Sequence, residues 1–198
     1  MSTISDAFTG GISSNWEAWG NEPIMVGASD KIRGGDNAYS GAVWKTTADT
    51  FADDQESEAY LDDISSSESY AYLGVMVRGN NSGGTAGYMA FAHKTDNRDI
   101  YKHVAGSETR LTSSSNTWTA GVTYRLKVVG NDLELFIDDV SDETVTDTSV
   151  SSGQPGMCAY DADNDEVFLD NFAATDDFGG GSLSIPIAAY HYNIRLNG

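Results

Sequence analysis

Trp118 to Asp139, W-T-A-G-V-T-Y-R-L-K-V-V-G-N-D-L-E-L-F-I-D-D, alternates with a period of two on both sides of a short turn. Val122, Tyr124, Leu126 and Val128 interleave with Thr123, Arg125 and Lys127; Leu133, Leu135 and Ile137 interleave with Glu134, Phe136 and Asp138. That is the pleat of a half-buried strand, twice, and therefore a β-hairpin. Taking Asn131-Asp132 as a two-residue turn, because both tolerate positive φ, predicts Val128 opposite Leu135, Leu126 opposite Ile137 and Arg125 opposite Asp138. A hairpin with one apolar face belongs to an antiparallel sheet that buries that face against another layer.

The rest of the chain repeats the pattern. Short strands and turn clusters succeed one another without a 3.6-residue period, which predicts an all-β fold with less than about 10% helix. Strands are expected over 5–8, 24–29, 31–34, 38–44, 55–64, 70–78, 87–93, 99–104, 108–112, 155–161 and 167–174, all antiparallel by loop length. In 70–78, Ala71, Leu73, Val75 and Val77 form the core face, and Tyr70, Tyr72, Met76 and Arg78 the other. One sandwich is expected over residues 1–175, a Gly-rich linker over 176–181 and a separate tail over 182–198.

Composition narrows the function classes. The 198 residues are enough for one sandwich with a real core, and 21 glycines with 39% apolar residues suit a turn-rich β protein. Thirty acidic residues against eleven basic ones leave a net charge of −19, which repels phosphate backbones and anionic lipid; nucleic-acid partners and membrane insertion are not expected. One cysteine, Cys158 in a strand-like context, excludes an internal disulfide and reads as a buried, inert thiol. The opening Met-Ser-Thr-Ile-Ser-Asp has no basic and apolar leader pattern, so no secretory signal is recognised in it.

An ordered set of segments resembles the concanavalin A-like lectin/glucanase superfamily, laminarinase-like and laminin G-like members included. The set comprises Asp6-Ala7-Phe8-Thr9-Gly10 with Ser14-Asn15-Trp16, then Phe51 to Ala59 leading into Tyr72 to Arg78. It continues with Tyr124-Arg125-Leu126 and closes with Gly153 to Met157 and Val167 to Phe172, so that it covers roughly residues 5–174. The resemblance implies a jelly-roll sandwich of two antiparallel sheets, a concave face that often binds glycans, and in some members a structural Ca²⁺ between the first and last strands. The matching residues for that ion are Asp6 and Asp170, completed by carbonyls around Gly34 to Asp36. Enzymes, lectins and structural modules share this fold, so the fold alone leaves function open.

Three kinds of site can be weighed. A glycosidase needs two carboxylates flanking the scissile bond. The laminarinase-like Glu-x-Asp-x-x-Glu motif is missing, and the nearest pattern, Asp54-x-Glu56-x-Glu58, reads more simply as a solvated strand edge. His93, His103 and His191 have no nucleophile at a recognisable spacing. Asp161 to Glu166 imitates the start of an EF-hand loop but has Glu166 for its glycine and Phe172 for its last ligand, so it reads as a solvated turn. A glycan site needs an aromatic platform and a few polar groups; Tyr70, Tyr72, Arg78, Tyr88, Tyr101 and His103 are expected to supply them from the non-core face of neighbouring strands.

The tail differs from all of this. Residues 182–198 carry Leu183, Ile185, Ile187, Tyr190, Tyr192, Ile194 and Leu196, with Arg195 as the sole charged side chain. Such a segment aggregates unless it docks. It either folds back on its own sandwich as an edge strand or, the option the Gly-rich spacer favours, reaches a copy of the chain or another protein. The expectation is a non-enzymatic, glycan-binding phage virion protein, a decoration or tail-associated component made in the host cytoplasm and displayed on the particle. The alternatives are an extracellular carbohydrate-binding module, a laminarinase-like hydrolase relative, and a self-assembling surface or filament protein.

Overall fold

The computed structural model describes residues 1–9, 11–20, 22–23, 25–26, 31–33, 38–64, 72–80, 85–93, 98–117, 119–161 and 167–178. Tyr70 and the whole tail 182–198 lie outside them, as do Gly34 to Asp36, residues 162–166 and the side chain of His93. The described residues form strands and no helix: β1 (Thr3–Asp6), β2 (Trp16–Gly20), β3 (Glu22–Pro23), β4 (Met25–Val26), β5 (Ile32–Arg33), β6 (Ala38–Trp44), β7 (Gln55–Ile64), β8 (Tyr72–Asn80), β9 (Ala86–His93), β10 (Asp99–Val104), β11 (Ser107–Arg110), β12 (Val122–Val129), β13 (Asp132–Ile137), β14 (Val140–Thr146), β15 (Gln154–Asp161) and β16 (Val167–Thr175). The first sheet runs β14-β13-β12-β7-β16-β5-β4, with β1 also on β16; the second runs β11-β10-β9-β8-β15-β6-β2, with β3 also on β6. The expectation of purely antiparallel pairing fails at one place, because β3 pairs β6 in parallel over Glu22↔Ser40 and Pro23↔Gly41.

The two sheets pack face to face over the residues that alternation selected. Ala59 and Leu61 of β7, Leu126 and Val128 of β12, and Leu133 and Leu135 of β13 meet Leu73, Val75 and Val77 of β8 in one buried cluster. The hairpin closes one step earlier than expected. Val129 pairs Asp132 around Gly130-Asn131, so Leu126 faces Leu135, Val128 faces Leu133 and Arg125 faces Phe136. Gly130 takes φ +60°, and a turn with glycine first and one positive φ fits the strand twist as a type II′ turn. The shift is two residues, so every side chain keeps its face.

Register shifts break the simple alternation at several places, and two of them move candidate site residues. Arg78 adopts φ +52° where β8 slips against β9, and Asn171 adopts φ +52° where β16 slips against β7. Each inserts one residue and reverses the parity of the positions beyond it in the strand. Strand β7 is not an edge: it lies between β12 and β16.

The second sheet is strongly curled. Four strands separate β2 from β10 in its order, which on a flat sheet would put them about 24 Å apart. Yet the rings of Trp19 on β2 and His103 on β10 lie 5.1 Å apart, edge to face. The outward face of this sheet is therefore concave. Glycines allow the bend: a Cβ on Gly41 would stand 2.8 Å from the Trp19 ring, and one on Gly87 3.0 Å from the Met76 sulfur.

Candidate functional site

The concave face carries its own cluster: Trp19, Val43, Tyr72, Met76, Met89, Phe91 and Cys158, with Tyr101 packed against it. An aromatic row crosses β8, β9 and β10. Tyr72 and Phe91 stand 4.6 Å apart and Phe91 and Tyr101 5.2 Å apart, both tilted. Trp19 plugs one end, its Nε1 donating to the Ala86 carbonyl at 3.1 Å. Phe91 is only 2% exposed, so the row is a platform at its margin alone, where Tyr101 is half-buried and the neighbouring β11 is exposed.

At that margin the register sets polar groups beside the ring. Tyr101 pairs Arg110 and His103 pairs Glu108 across β10 and β11. Asp99, fully buried, anchors Arg110 through a 2.5 Å ion pair and also accepts from Thr112 Oγ1 at 3.0 Å and the Ser114 N–H at 2.8 Å. A guanidinium held this way loses little side-chain entropy when it meets a ligand. His103 shares a 3.0 Å hydrogen bond between Nε2 and Thr85 Oγ1, and burial pushes its pKa below the usual histidine range, which keeps the ring neutral near pH 7.

Of the six residues expected to bind glycan, Tyr72, Tyr101 and His103 share this face; Tyr70 lies outside the described residues. Tyr88 does not join them. It pairs Val77 and so points inward, fully buried in the main core. Its hydroxyl donates to Asp147 Oδ1 at 2.8 Å and accepts from the Val150 N–H at 2.9 Å; burial pushes its pKa up to about 12. Arg78 is also elsewhere, because the bulge turns it off the tyrosine face. Its guanidinium donates to the carbonyls of Asp53 at 2.8 Å, Val150 at 3.0 Å and Gly130 at 2.6 Å, clamping three loops including the hairpin turn. Trp19, Phe91, Glu108 and Arg110 were not legible as members of this face, since their placement depends on sheet curl and on the β10–β11 register.

The residues implied for calcium do not fit the ion. Asp6 follows Ile4 on the inward side of β1 and accepts from Trp16 Nε1 and the Phe8 N–H, both at 2.8 Å. Asp170 pairs Tyr60, on the outward side of the sheet, because the bulge at Asn171 reverses its parity relative to Phe172. The two carboxylates face opposite sides of one sheet and cannot share a cation. No group of three or more His, Cys, Asp or Glu placed to hold a metal occurs among the described residues.

The acidic row is not a solvated edge. Glu56 and Glu58 are 3% and 2% exposed on the outward face of the first sheet. Arg125 pairs Glu56 at 3.2 Å, Glu58 at 3.8 Å and Asp139 at 2.9 Å, and lies 3.9 Å above the Phe136 ring. Asp54 accepts from the Gly130 N–H at 2.7 Å. Glu56 and Glu58, buried and paired in this way, have no room to flank a glycosidic bond, while the Asp54 side chain is half-exposed.

No family model and no curated protein sequence matches the chain. Solved structures do. The carbohydrate-binding module CBM66 from Bacillus subtilis is 15% identical and superposes with a TM-score of 0.62 over 79% of this chain and 91% of its own. The carbohydrate recognition domain of Emp46p, in a potassium-bound form, is 15% identical with a TM-score of 0.55 over 82% and 88%. A β-1,3-1,4-glucanase (lichenase) from a mouse hindgut metagenome is 8% identical with a TM-score of 0.59 over 89% and 99%. At such identities the likeness is one of fold, and the chain is a jelly-roll-like sandwich of two antiparallel sheets.

Proposed function

We propose that this chain is a non-catalytic carbohydrate-binding module that takes a neutral sugar at the Tyr101 margin of its concave face. The observation that carries the reading is the half-exposed Tyr101 ring, backed by Phe91 at 5.2 Å and flanked by Arg110 on a buried carboxylate. The apolar face of a pyranose stacks on such a ring, while Arg110, Glu108 and the neutral His103 supply donors and acceptors for its hydroxyls. A net charge of −19 favours a neutral ligand over an anionic one. The carbohydrate-binding descriptions of two of the fold neighbours support the same class, and the lichenase supports a hydrolase. Burial of the Glu56–Glu58 row speaks against that row as a catalytic pair. The phage-particle setting has no support in these likenesses and is not part of the proposal.

Binding of neutral polysaccharides and oligosaccharides, screened on an array and measured by calorimetry, tests it. Tyr101→Ala and Arg110→Ala should each weaken binding by about tenfold or more, about 1.4 kcal/mol; Tyr101→Ala should change the melting temperature by no more than a few degrees, whereas Arg110→Ala also strands the buried Asp99 carboxylate and should lower it further. Binding that survives both substitutions places the site elsewhere. Release of reducing sugar that disappears in Glu56→Gln would establish a hydrolase instead.

A further inference from the structure

Gln154 carries an amide oxygen that the fold leaves without a partner. The residue opens β15 opposite Gly79 and is 6% exposed; its Oε1 is sealed from solvent and meets no hydrogen-bond donor among the described residues. Buried amide oxygens are normally satisfied, so an orphan of this kind points to a donor that the chain itself does not supply. Gln154 also lines a pocket of about 580 Å³ at the end of the sandwich, between β2, the 46–53 loop, the last residues of β8 and the 152–153 turn. Glu17 and Asp53 stand on its rim, both exposed and neither paired with a cation among the described residues. Phe51, 4% exposed, closes its inner wall.

We propose that this pocket is a second binding site, sharing no residue with the Tyr101 margin, and that it takes a primary ammonium group carried by a small organic molecule. Two carboxylates and the amides of Asn80 and Gln154 line it, and no Lys, Arg or His does so among the described residues, so it is rich in acceptors and carries no counter-charge. The basic groups on the flanking segments are committed elsewhere. Arg78 donates to the carbonyls of Asp53, Val150 and Gly130, and Lys45 Nζ donates to that of Ser14 at 2.6 Å. An ammonium brings three donors on one compact charge, which answers both the field of Glu17 and Asp53 and the unmet Gln154 Oε1. Its carbon stem packs toward Phe51, an aromatic wall that also favours a cation. Other ligand classes match less of this. A metal ion fills a small part of the space, and no group of three or more His, Cys, Asp or Glu placed to hold one occurs among the described residues. An anion is repelled by the rim and by the net charge of −19, and a neutral sugar leaves both carboxylates uncompensated.

Amide NMR of the isotope-labelled full chain, titrated with glucosamine, N-acetylglucosamine and putrescine at mildly acidic pH, tests this. The signals of Gly79, Gly153 and the Gln154 side-chain amide should move with glucosamine or putrescine and stay still with N-acetylglucosamine, whose nitrogen is uncharged. Movement with glucosamine alone identifies an amino sugar as the source of the ammonium, and movement with putrescine identifies a plain amine; both support the site. Glu17→Gln and Asp53→Asn, at exposed positions where neither should disturb folding, are each expected to weaken binding about threefold or more, and added salt should weaken it further. Tyr101→Ala should leave these shifts unchanged, so failure of this site and failure of the sugar site are read separately. Equal shifts with N-acetylglucosamine, or a Gln154 amide that neither amine moves, overturn the proposal. So does amine binding that both carboxylate variants leave intact. The wild-type titration stands alone if a variant fails to fold.

Discussion

Tyr88→Phe removes one oxygen atom and distinguishes a core tyrosine from a glycan-facing one. In the wild type that oxygen donates to Asp147 Oδ1 at 2.8 Å and accepts from the Val150 N–H at 2.9 Å, and Val150 is only 4% exposed. Removing it costs one hydrogen bond to a charged group and strands a buried N–H. Together these are worth about 2–4 kcal/mol, and a domain of this size loses roughly 2–4 °C of Tm per kcal/mol, so a fall of roughly 5–12 °C is expected. Asp147 keeps Lys102 Nζ at 2.7 Å and the Ser149 N–H at 2.7 Å, so the variant should fold to the same secondary structure. Thermal unfolding followed by circular dichroism gives Tm, and calorimetry gives sugar affinity, which should not change. A Tm within about 1 °C of the wild type, or weakened sugar binding with Tm intact, would refute the inward placement of Tyr88.

Asp6→Ala loses the hydrogen bonds from Trp16 Nε1 and the Phe8 N–H and should lower Tm by roughly 4–12 °C, whereas chelator should leave the wild-type Tm unmoved. A chelator effect in the wild type that vanishes in Asp6→Ala would return this residue to a metal site. Two groups contribute to the acid limb of stability. Burial alone would raise the Asp147 pKa, but hydrogen bonds from Lys102, Ser149 and Tyr88 outweigh it and hold the carboxyl well below the usual range. Its stabilisation is therefore complete above the unfolded carboxylate range, near pH 4, and is lost as pH falls below that. His103 is lowered by burial, so below about pH 6.5 the unfolded chain takes up a proton that the folded chain refuses, and stability falls there first. Between about pH 7.5 and 5, His103→Asn should flatten the decline in Tm; an unchanged slope would mean that His103 is not the group responsible.

What could be read before folding was parity. Leu126, Val128, Leu133 and Leu135, and Ala59 with Leu61, face inward because successive side chains of any strand point to opposite sides, a property of the local backbone. That suffices for an all-β sandwich and for placing Tyr72 and Tyr101 together on the outward face. The register escaped it: a slip of two residues in the hairpin leaves parity untouched, and only the geometry of Gly130-Asn131 selects between the two pairings. Strand β14 escaped it too, since its Ser141, Asp142 and Glu143 lie on an exposed sheet edge and carry no apolar alternation. The tertiary structure alone decided where parity reverses. Bulges at Arg78 and Asn171 are stabilised by contacts from distant loops and strands, and they separate Arg78 from the tyrosines and Asp170 from Asp6. Curl is likewise global: glycines at 41 and 87 permit it, but it takes the whole sheet to bring Trp19 against His103 and leave Tyr101 as the open end of the row.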